Sequence, residues 1–182
     1  MKRIIFLLGV SFTVISTSVA QNFFTKNGML SFFSKSALEN ITAVNNQVVS
    51  VLNTTTGETK FSAIIKGFKF KKALMQEHFN ENYMESDKYP KATFSGTITD
   101  PGKISFTKDG EYNVNVSGDL AMHGVTKKIS APTTITVRSG KLTGTSTFTV
   151  LLADYNISVP KLVENNIAKS IEIKVNCSYE PK

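Results

Sequence analysis

Apolar and polar residues alternate with a period of two along most of the chain after Gln21. This is the side-chain period of a β-strand, in which successive residues point to opposite faces of a sheet. Each such segment has one apolar and one polar face, as antiparallel sheets with one buried face require. The alternation is clearest over residues 111–122, 141–153 and 168–179.

Short turn sequences join the alternating segments, at residues 54–57, 100–102, 108–110 and 139–141. Two of them contain the Pro-Gly and Asp-Gly pairs that are strong turn signals. The pattern predicts eight or nine strands in sequential hairpins. They lie near residues 28–34, 46–53, 58–67, 91–99, 103–108, 111–122, 128–138, 141–153 and 168–179.

One segment, residues 72–84, departs from the strand period and contains neither Gly nor Pro. Met75, Phe79 and Tyr83 are spaced four residues apart, which places them on one face of a helix. We therefore predict a single helix between the early strands, ending before Pro90. A second irregular stretch, residues 154–166, contains Pro160 and is compatible with a short helical turn.

The first twenty residues have the composition of a secretory signal peptide. Lys2 and Arg3 precede a short apolar segment at 4–14, and small residues stand at Ser18 and Ala20. We expect cleavage after residue 20, export to the periplasm or outside the cell, and a single mature domain over residues 21–182.

Many antiparallel strands in sequence can close as a sandwich or as an up-and-down barrel. Segments as long as 111–122 and 141–153 favour the barrel, and an eight-stranded barrel can hold one small ligand. Alternation alone does not say which face is inside. An outer-membrane barrel has the same period with its apolar residues outward, but the chain lacks Trp and an aromatic girdle.

Composition excludes several classes of function. The net charge of +7 comes from lysine, because Arg138 is the only arginine after residue 20. Arginine is the usual residue for recognising bases and phosphates, so we predict no nucleic-acid partner. One cysteine and two histidines rule out an internal disulfide and a His-rich metal site. The nucleotide-binding and zinc-protease motifs are absent, and we predict neither a cofactor nor enzymatic activity.

Three features could bear on function without forming a motif. His123 at a strand end is either a catalytic base or, as we favour, a histidine hydrogen-bonded to backbone at a tight turn. Cys177 lies on the apolar side of its strand, so we expect a buried, inert thiol. Four lysines surround Phe68 and Phe70 and either attract an anionic head group or, as we favour, form a solvated strand edge. These are Lys66, Lys69, Lys71 and Lys72.

Two motifs suggest a family. Residues 83–94, YMESDKYPKATF, and residues 120–127, LAMHGVTK, resemble the two hallmarks of bacterial YceI-like proteins. Residues 154–157 are similar to a late motif of that family, with Asn156 where Gly is usual, and residues 171–175 fit its last strand. The opening strand differs, since residues 29–34 replace the usual His-Ser sequence. The resemblance is therefore to a shorter variant group.

This resemblance implies a lipocalin-like, eight-stranded antiparallel barrel with one helix at its side or end. It also implies an exported bacterial protein that binds a polyisoprenoid or isoprenoid quinone without catalysis. The expected partners are thus a hydrophobic small molecule and, peripherally, a membrane; the oligomeric state stays open.

Two main hypotheses follow, and both are non-catalytic. In the first, the barrel binds a hydrophobic chain in its interior. In the second, the core is fully packed and the protein is a structural or interaction module of the envelope. A third, less supported hypothesis is an enzyme using His123. For the first hypothesis we predict that the cavity is lined by Phe61, Ile65, Phe94, Ile98, Val114, Val116, Phe148, Val150, Ile171 and Ile173.

Overall fold

The computed structural model describes residues 22–182, so the predicted signal peptide at 1–20 lies outside the described residues. Over these residues nine strands form one antiparallel sheet. The strands are β1 (Asn22–Lys35), β2 (Asn40–Asn53), β3 (Glu58–Ile64), β4 (Lys69–Phe70), β5 (Lys91–Ile98), β6 (Gly110–Met122), β7 (Val125–Arg138), β8 (Lys141–Leu151) and β9 (Ser170–Pro181).

The sheet closes on itself. The strands follow the order β1-β9-β8-β7-β6-β5-β3-β2, and β2 pairs again with β1 over registers such as Phe32 with Ala43. The two-residue β4 adds to β2 beyond the end of β3. The result is a closed eight-stranded barrel, as predicted. Two of its seams are only partly paired, since β2 pairs with β3 over four registers and β7 pairs with β8 over six.

The predicted helix is also present, as α1 (Ala73–His78) followed by a π-helical turn (Phe79–Tyr83). The N–H of Met84 donates to the carbonyl of Phe79 at 2.9 Å, a bond that spans five residues. The second irregular stretch holds short 3₁₀ turns at Leu152–Tyr155 and Lys161–Val163. Across residues 22–182, no helix has the length and apolarity needed to cross a bilayer.

The strand predicted at 103–108 is wrong. Pro101–Lys103 forms a 3₁₀ turn, and the chain stays irregular until β6 begins at Gly110. Ile104 is buried and Phe106 packs beside it, so both enter the core from a loop. Their spacing of two matches the strand period, although neither residue belongs to a strand.

A break in the sheet positions the helix. The pairing of β3 with β2 ends at Ser62, opposite Val49, and Asn45 fills the gap with its fully buried side chain. Its amide nitrogen donates to the Ile64 carbonyl at 2.9 Å, and its oxygen accepts from the Gln47 N–H at 2.8 Å. A Cβ on Gly67 would lie 2.7 Å from that amide nitrogen, so the turn requires glycine. β4 and α1 are thereby carried over one end of the barrel.

The two ends of the barrel differ. We call the end with α1 and the turn at 123–124 the helical end, and the end with the turns at 53–58 and 139–140 the hairpin end. The hairpin end is filled by a packed cluster. A separate cluster around Ile65, Val150 and Ile171 lines the helical end and leaves space between its members.

Candidate functional site

The larger apolar cavity lies inside the helical end and has a volume of about 330 Å³. Its walls come from the inner faces of the strands, and α1 with the π-helical turn covers one side. Met75, Phe79 and Tyr83 all line it, so the apolar face predicted for the helix faces this space. The rim is completed by residues of the β1–β2 hairpin and of the segment 163–167.

Side chains that point into the barrel at this level remain partly accessible. Leu120, Met122, Phe148 and Ile173 face the cavity, yet each is only half-buried. In a packed core such residues would be buried, as Val137 and Leu142 are at the hairpin end. The helical end is therefore an open cavity with a mouth.

Four phenylalanines form a cluster where α1 meets the barrel. Phe79 lies 5.4 Å from Phe32, 5.6 Å from Phe68 and 5.0 Å from Phe70, measured between ring centroids. These stacked, edge-on and tilted ring pairs stabilise each other beyond the area they bury. The cluster therefore holds the helical segment against the barrel while contributing apolar wall to the cavity.

A smaller chamber of about 110 Å³ lies deeper in the barrel. It shares Leu30, Ala63, Ala92, Leu120 and Phe148 with the larger cavity, so the two are adjoining parts of one interior. Part of its wall is formed by members of the packed cluster of the hairpin end, such as Leu52 and Ile135.

The ten residues predicted to line a cavity fall into three groups. Ile65, Phe148, Val150, Ile171 and Ile173 line the larger cavity. Phe61, Phe94, Ile98 and Val116 line the smaller chamber, where Phe61 and Phe94 meet at 6.1 Å between ring centroids. Val114 lies in the packed cluster and lines neither space.

Sequence reasoning missed the part of the wall that does not come from strands. The helical residues Met75, Phe79 and Tyr83 were recognised as one face but not as cavity wall. Their spacing is the signal that could have found them, because an amphipathic helix beside a barrel must cover something apolar. Phe32 of β1 and Phe68 after β3 also line the cavity and were not predicted, because neither segment alternates clearly.

Polar groups of the larger cavity are grouped at its rim. They include Glu39, His78 and Asn166, whereas Ser34 is buried in the wall. Ser34 accepts a hydrogen bond from the Ala168 N–H at 2.9 Å, which joins β1 to the segment before β9. An apolar interior with a polar rim suits an amphipathic molecule whose chain points inward.

Two of the four clustered lysines form ion pairs that join segments of the helical end. Lys66 contacts Asp87 at 2.6 Å, and Lys72 contacts Glu39 at 2.7 Å. Lys69 and Lys71 are exposed. The two ion pairs are exposed and add little stability. The four lysines nevertheless keep positive charge beside the mouth of the cavity.

His123 joins three loops at the helical end. Its Nδ1 lies 2.8 Å from the carbonyl oxygen of Tyr155, and its Nε2 lies 2.9 Å from the carboxylate of Glu85. The Tyr89 ring packs edge-on against it at 4.8 Å between centroids. Both contacts are to acceptors, so both are hydrogen bonds at once only when both ring nitrogens carry hydrogen. The backbone contact is the structural role expected at a tight turn.

Two titratable side chains, Cys177 and Tyr179, lie in the packed cluster of the hairpin end. Burial raises the pKa of the Cys177 thiol to about 11, so it is protonated at neutral pH. Tyr179 shares a 2.9 Å hydrogen bond with Ser50, and burial raises its pKa as well. Among the described residues, no group of three or more His, Cys, Asp or Glu side chains is arranged to hold a metal ion.

Comparison with known proteins agrees with the fold and motifs. A family model for the YceI-like domain matches residues 10–179. A polyisoprenoid-binding domain from Saccharophagus degradans, implicated in plant cell wall breakdown, superposes with a TM-score of 0.78 at 16% identity, covering 90% of this chain and 100% of that chain. Burkholderia cenocepacia BcnA superposes with a TM-score of 0.70 at 16% identity, covering 84% of this chain and 96% of that chain.

A third similar structure, the YceI protein of Campylobacter jejuni, has a TM-score of 0.52 at 13% identity, covering 100% of this chain and 99% of that chain. At these identities the likeness establishes the fold. A comparison with curated protein sequences finds no match.

Proposed function

Because this chain belongs to the YceI-like domain family, we propose that it is an exported, non-catalytic barrel that binds one hydrophobic chain. The observation that carries the proposal is the larger cavity, which is apolar in depth, polar at its rim and open at the helical end. A similar structure is a polyisoprenoid-binding domain. We therefore propose a polyisoprenoid or isoprenoid quinone as the ligand class. The signal-like pattern of residues 1–20 supports export to the periplasm or beyond.

The volume of the cavity limits the length of chain that it can hold. At roughly 30 Å³ for each water-sized group, about 330 Å³ accommodates about eleven non-hydrogen atoms. The deeper chamber adds room for about four more. The interior therefore fits about three five-carbon isoprene units, and a longer ligand extends through the mouth.

The number of carbons buried sets an upper limit on the affinity. Burial of about fifteen carbons at ~0.8 kcal/mol each contributes about 12 kcal/mol. An association cost of about 4 kcal/mol leaves a dissociation constant near the micromolar range, and larger costs weaken it. Ring contacts from the phenylalanine cluster add to the fit.

The test is a cavity-filling substitution with a matched surface control. Ala92 points inward and lines both chambers, so Ala92→Phe places a ring in the space proposed for the ligand. Ala153 is exposed in a 3₁₀ turn, so Ala153→Phe makes the same chemical change outside the cavity. Val116 is a poorer choice because it belongs to the packed cluster, where a larger side chain would disturb folding.

Each protein is purified from a bacterial envelope. Lipids are extracted from one portion and identified by mass spectrometry. A second portion is titrated with farnesol, a fifteen-carbon isoprenoid alcohol. We expect unmodified protein and Ala153→Phe to bind farnesol equally and Ala92→Phe to lose binding at least tenfold. If Ala92→Phe remains folded and binds as well as the unmodified protein, the ligand is not in this cavity. If unmodified protein carries no lipid and binds no farnesol, the alternative of a structural or interaction module stands.

A further inference from the structure

Three strongly exposed leucines lie around the mouth of the larger cavity. Leu38 is 71% exposed in the β1–β2 hairpin, Leu74 is 60% exposed on α1, and Leu162 is 95% exposed in the 3₁₀ turn before β9. Each is followed directly in the chain by a residue that lines the cavity: Glu39, Met75 and Val163. The three leucines thus come from three separate segments and share one rim, which we call the leucine rim.

Two of these segments also contact each other. The N–H of Leu38 lies 3.4 Å from the carbonyl oxygen of Asn165, which brings the β1–β2 hairpin beside the loop that carries Leu162. Lys72, at the start of α1, contacts Glu39 at 2.7 Å and joins the helix to the same hairpin. The leucine rim is therefore a connected surface.

The charge around the leucine rim is positive. The rim segments 34–40, 68–79 and 160–170 contain six lysines and three glutamates, an excess of three positive charges. One of the glutamates, Glu39, is already paired with Lys72. Apolar side chains projecting from a positively charged surface are the features with which proteins bind the interface of an anionic bilayer.

We propose that the leucine rim docks onto an anionic lipid bilayer, with the leucines entering the interfacial layer and the lysines facing lipid phosphates. This inference rests on the proposed function and names the surface with which the cavity exchanges its ligand. Docking in this orientation places the mouth against the acyl chains. An apolar ligand then moves between membrane and cavity without exposing its chain to water, which would otherwise oppose transfer.

A protein partner is the less favoured occupant. The leucines project separately from three segments with lysines between them, whereas protein interfaces have a packed apolar centre that is depleted in lysine.

Other exposed apolar side chains offer a control, since Val49 and Val51 lie on β2 away from the mouth.

The experiment is flotation of purified protein with vesicles. One set contains phosphatidylethanolamine with 30% phosphatidylglycerol, and the other contains phosphatidylcholine alone. The test variant is Leu38→Ser/Leu74→Ser/Leu162→Ser, and the control variant is Val49→Ser/Val51→Ser. Farnesol binding and thermal melting are measured on all three proteins without vesicles.

We expect the unmodified protein and the control to float with the anionic vesicles and to be released at high salt, because exposed charges are then screened. We expect the leucine variant to partition at least tenfold less while binding farnesol as tightly as the unmodified protein. Equal flotation of a folded leucine variant would overturn the proposal. So would absence of flotation of the unmodified protein, or a dimer in solution that the leucine variant abolishes. Flotation without farnesol binding would refute the proposed function and leave only the docking surface.

Discussion

Replacement of His123 by Ala tests whether this residue is the structural centre of the helical end. The substitution removes a hydrogen bond to the Tyr155 carbonyl and a contact with Glu85. The imidazole is largely buried, with 9% of its side chain exposed, whereas Glu85 is 44% exposed. The backbone bond is therefore the larger loss, and the bond to Glu85 is reduced by solvent.

The magnitude follows from these contacts. A lost hydrogen bond that leaves a buried carbonyl unpaired costs about 1–3 kcal/mol. The contact with the solvent-exposed Glu85 carboxylate adds less than about 1 kcal/mol. The backbone at His123 has a φ of 52°, in the left-handed region that Ala tolerates less well than His or Asn. We expect His123→Ala to lower the free energy of unfolding by about 2–4 kcal/mol.

The assay is urea denaturation of three variants compared with the unmodified protein. His123→Asn restores tolerance of the left-handed backbone, so we expect it to recover part of the loss. Glu85→Gln removes only the charge of the exposed partner and is expected to cost less than about 1 kcal/mol. The reasoning is refuted if His123→Ala costs less than about 0.5 kcal/mol, or if Glu85→Gln costs as much as His123→Ala.

Three further predictions concern the barrel wall and the core. Gly118 of β6 lies opposite Gly96 of β5, so closely that a Cβ on Gly118 would meet the backbone of β5. Gly118→Ala should therefore lower the free energy of unfolding by about 1–3 kcal/mol in urea denaturation. An unchanged urea midpoint would contradict the close approach. The thiol pKa of Cys177, raised to about 11, and the raised pKa of Tyr179 mean that the folded state holds more protons at alkaline pH. The unfolding free energy should therefore fall as pH rises from about 9 to about 11, and Cys177→Ala should flatten that decline in denaturation curves. The hydroxyl of Tyr155 is buried without a hydrogen-bond partner, so Tyr155→Phe should leave stability unchanged or raise it by up to about 1 kcal/mol; a lower melting temperature would show that the hydroxyl has a partner.

The fold was predictable because alternation and turn chemistry act locally. Strands such as β6 and β8 each carry a complete period-two pattern and end at turn residues, so neither needs distant information. The strand at 103–108 was wrong because Ile104 and Phe106 satisfy the same pattern from a loop. The true strands differ from this loop in being hydrogen-bonded to neighbouring strands, and sequence periodicity carries no information on that pairing.

The candidate site was only partly predictable for a related reason. Periodicity identifies inward-facing residues but not their height along the barrel. Val114 and Val150 are both inward-facing strand valines, yet the first lies in the packed cluster and the second lines the larger cavity. Height depends on strand register and on which loops fill each end. The role of Asn45 was unpredictable for the same reason. Its position in a strand does not indicate that its side chain bonds the Ile64 carbonyl across a break in the sheet.

The division of the barrel into a packed half and an open half bears on how such proteins diversify. Residues of the hairpin end form a packed cluster, while those around the larger cavity leave space between them. Substitutions in the open half can therefore change the shape and length of chain accepted while the other half keeps the molecule folded. Under the proposed function, the ligand can therefore change by small steps while the fold is kept. Retention of one architecture at 13–16% identity is the pattern that such a division permits.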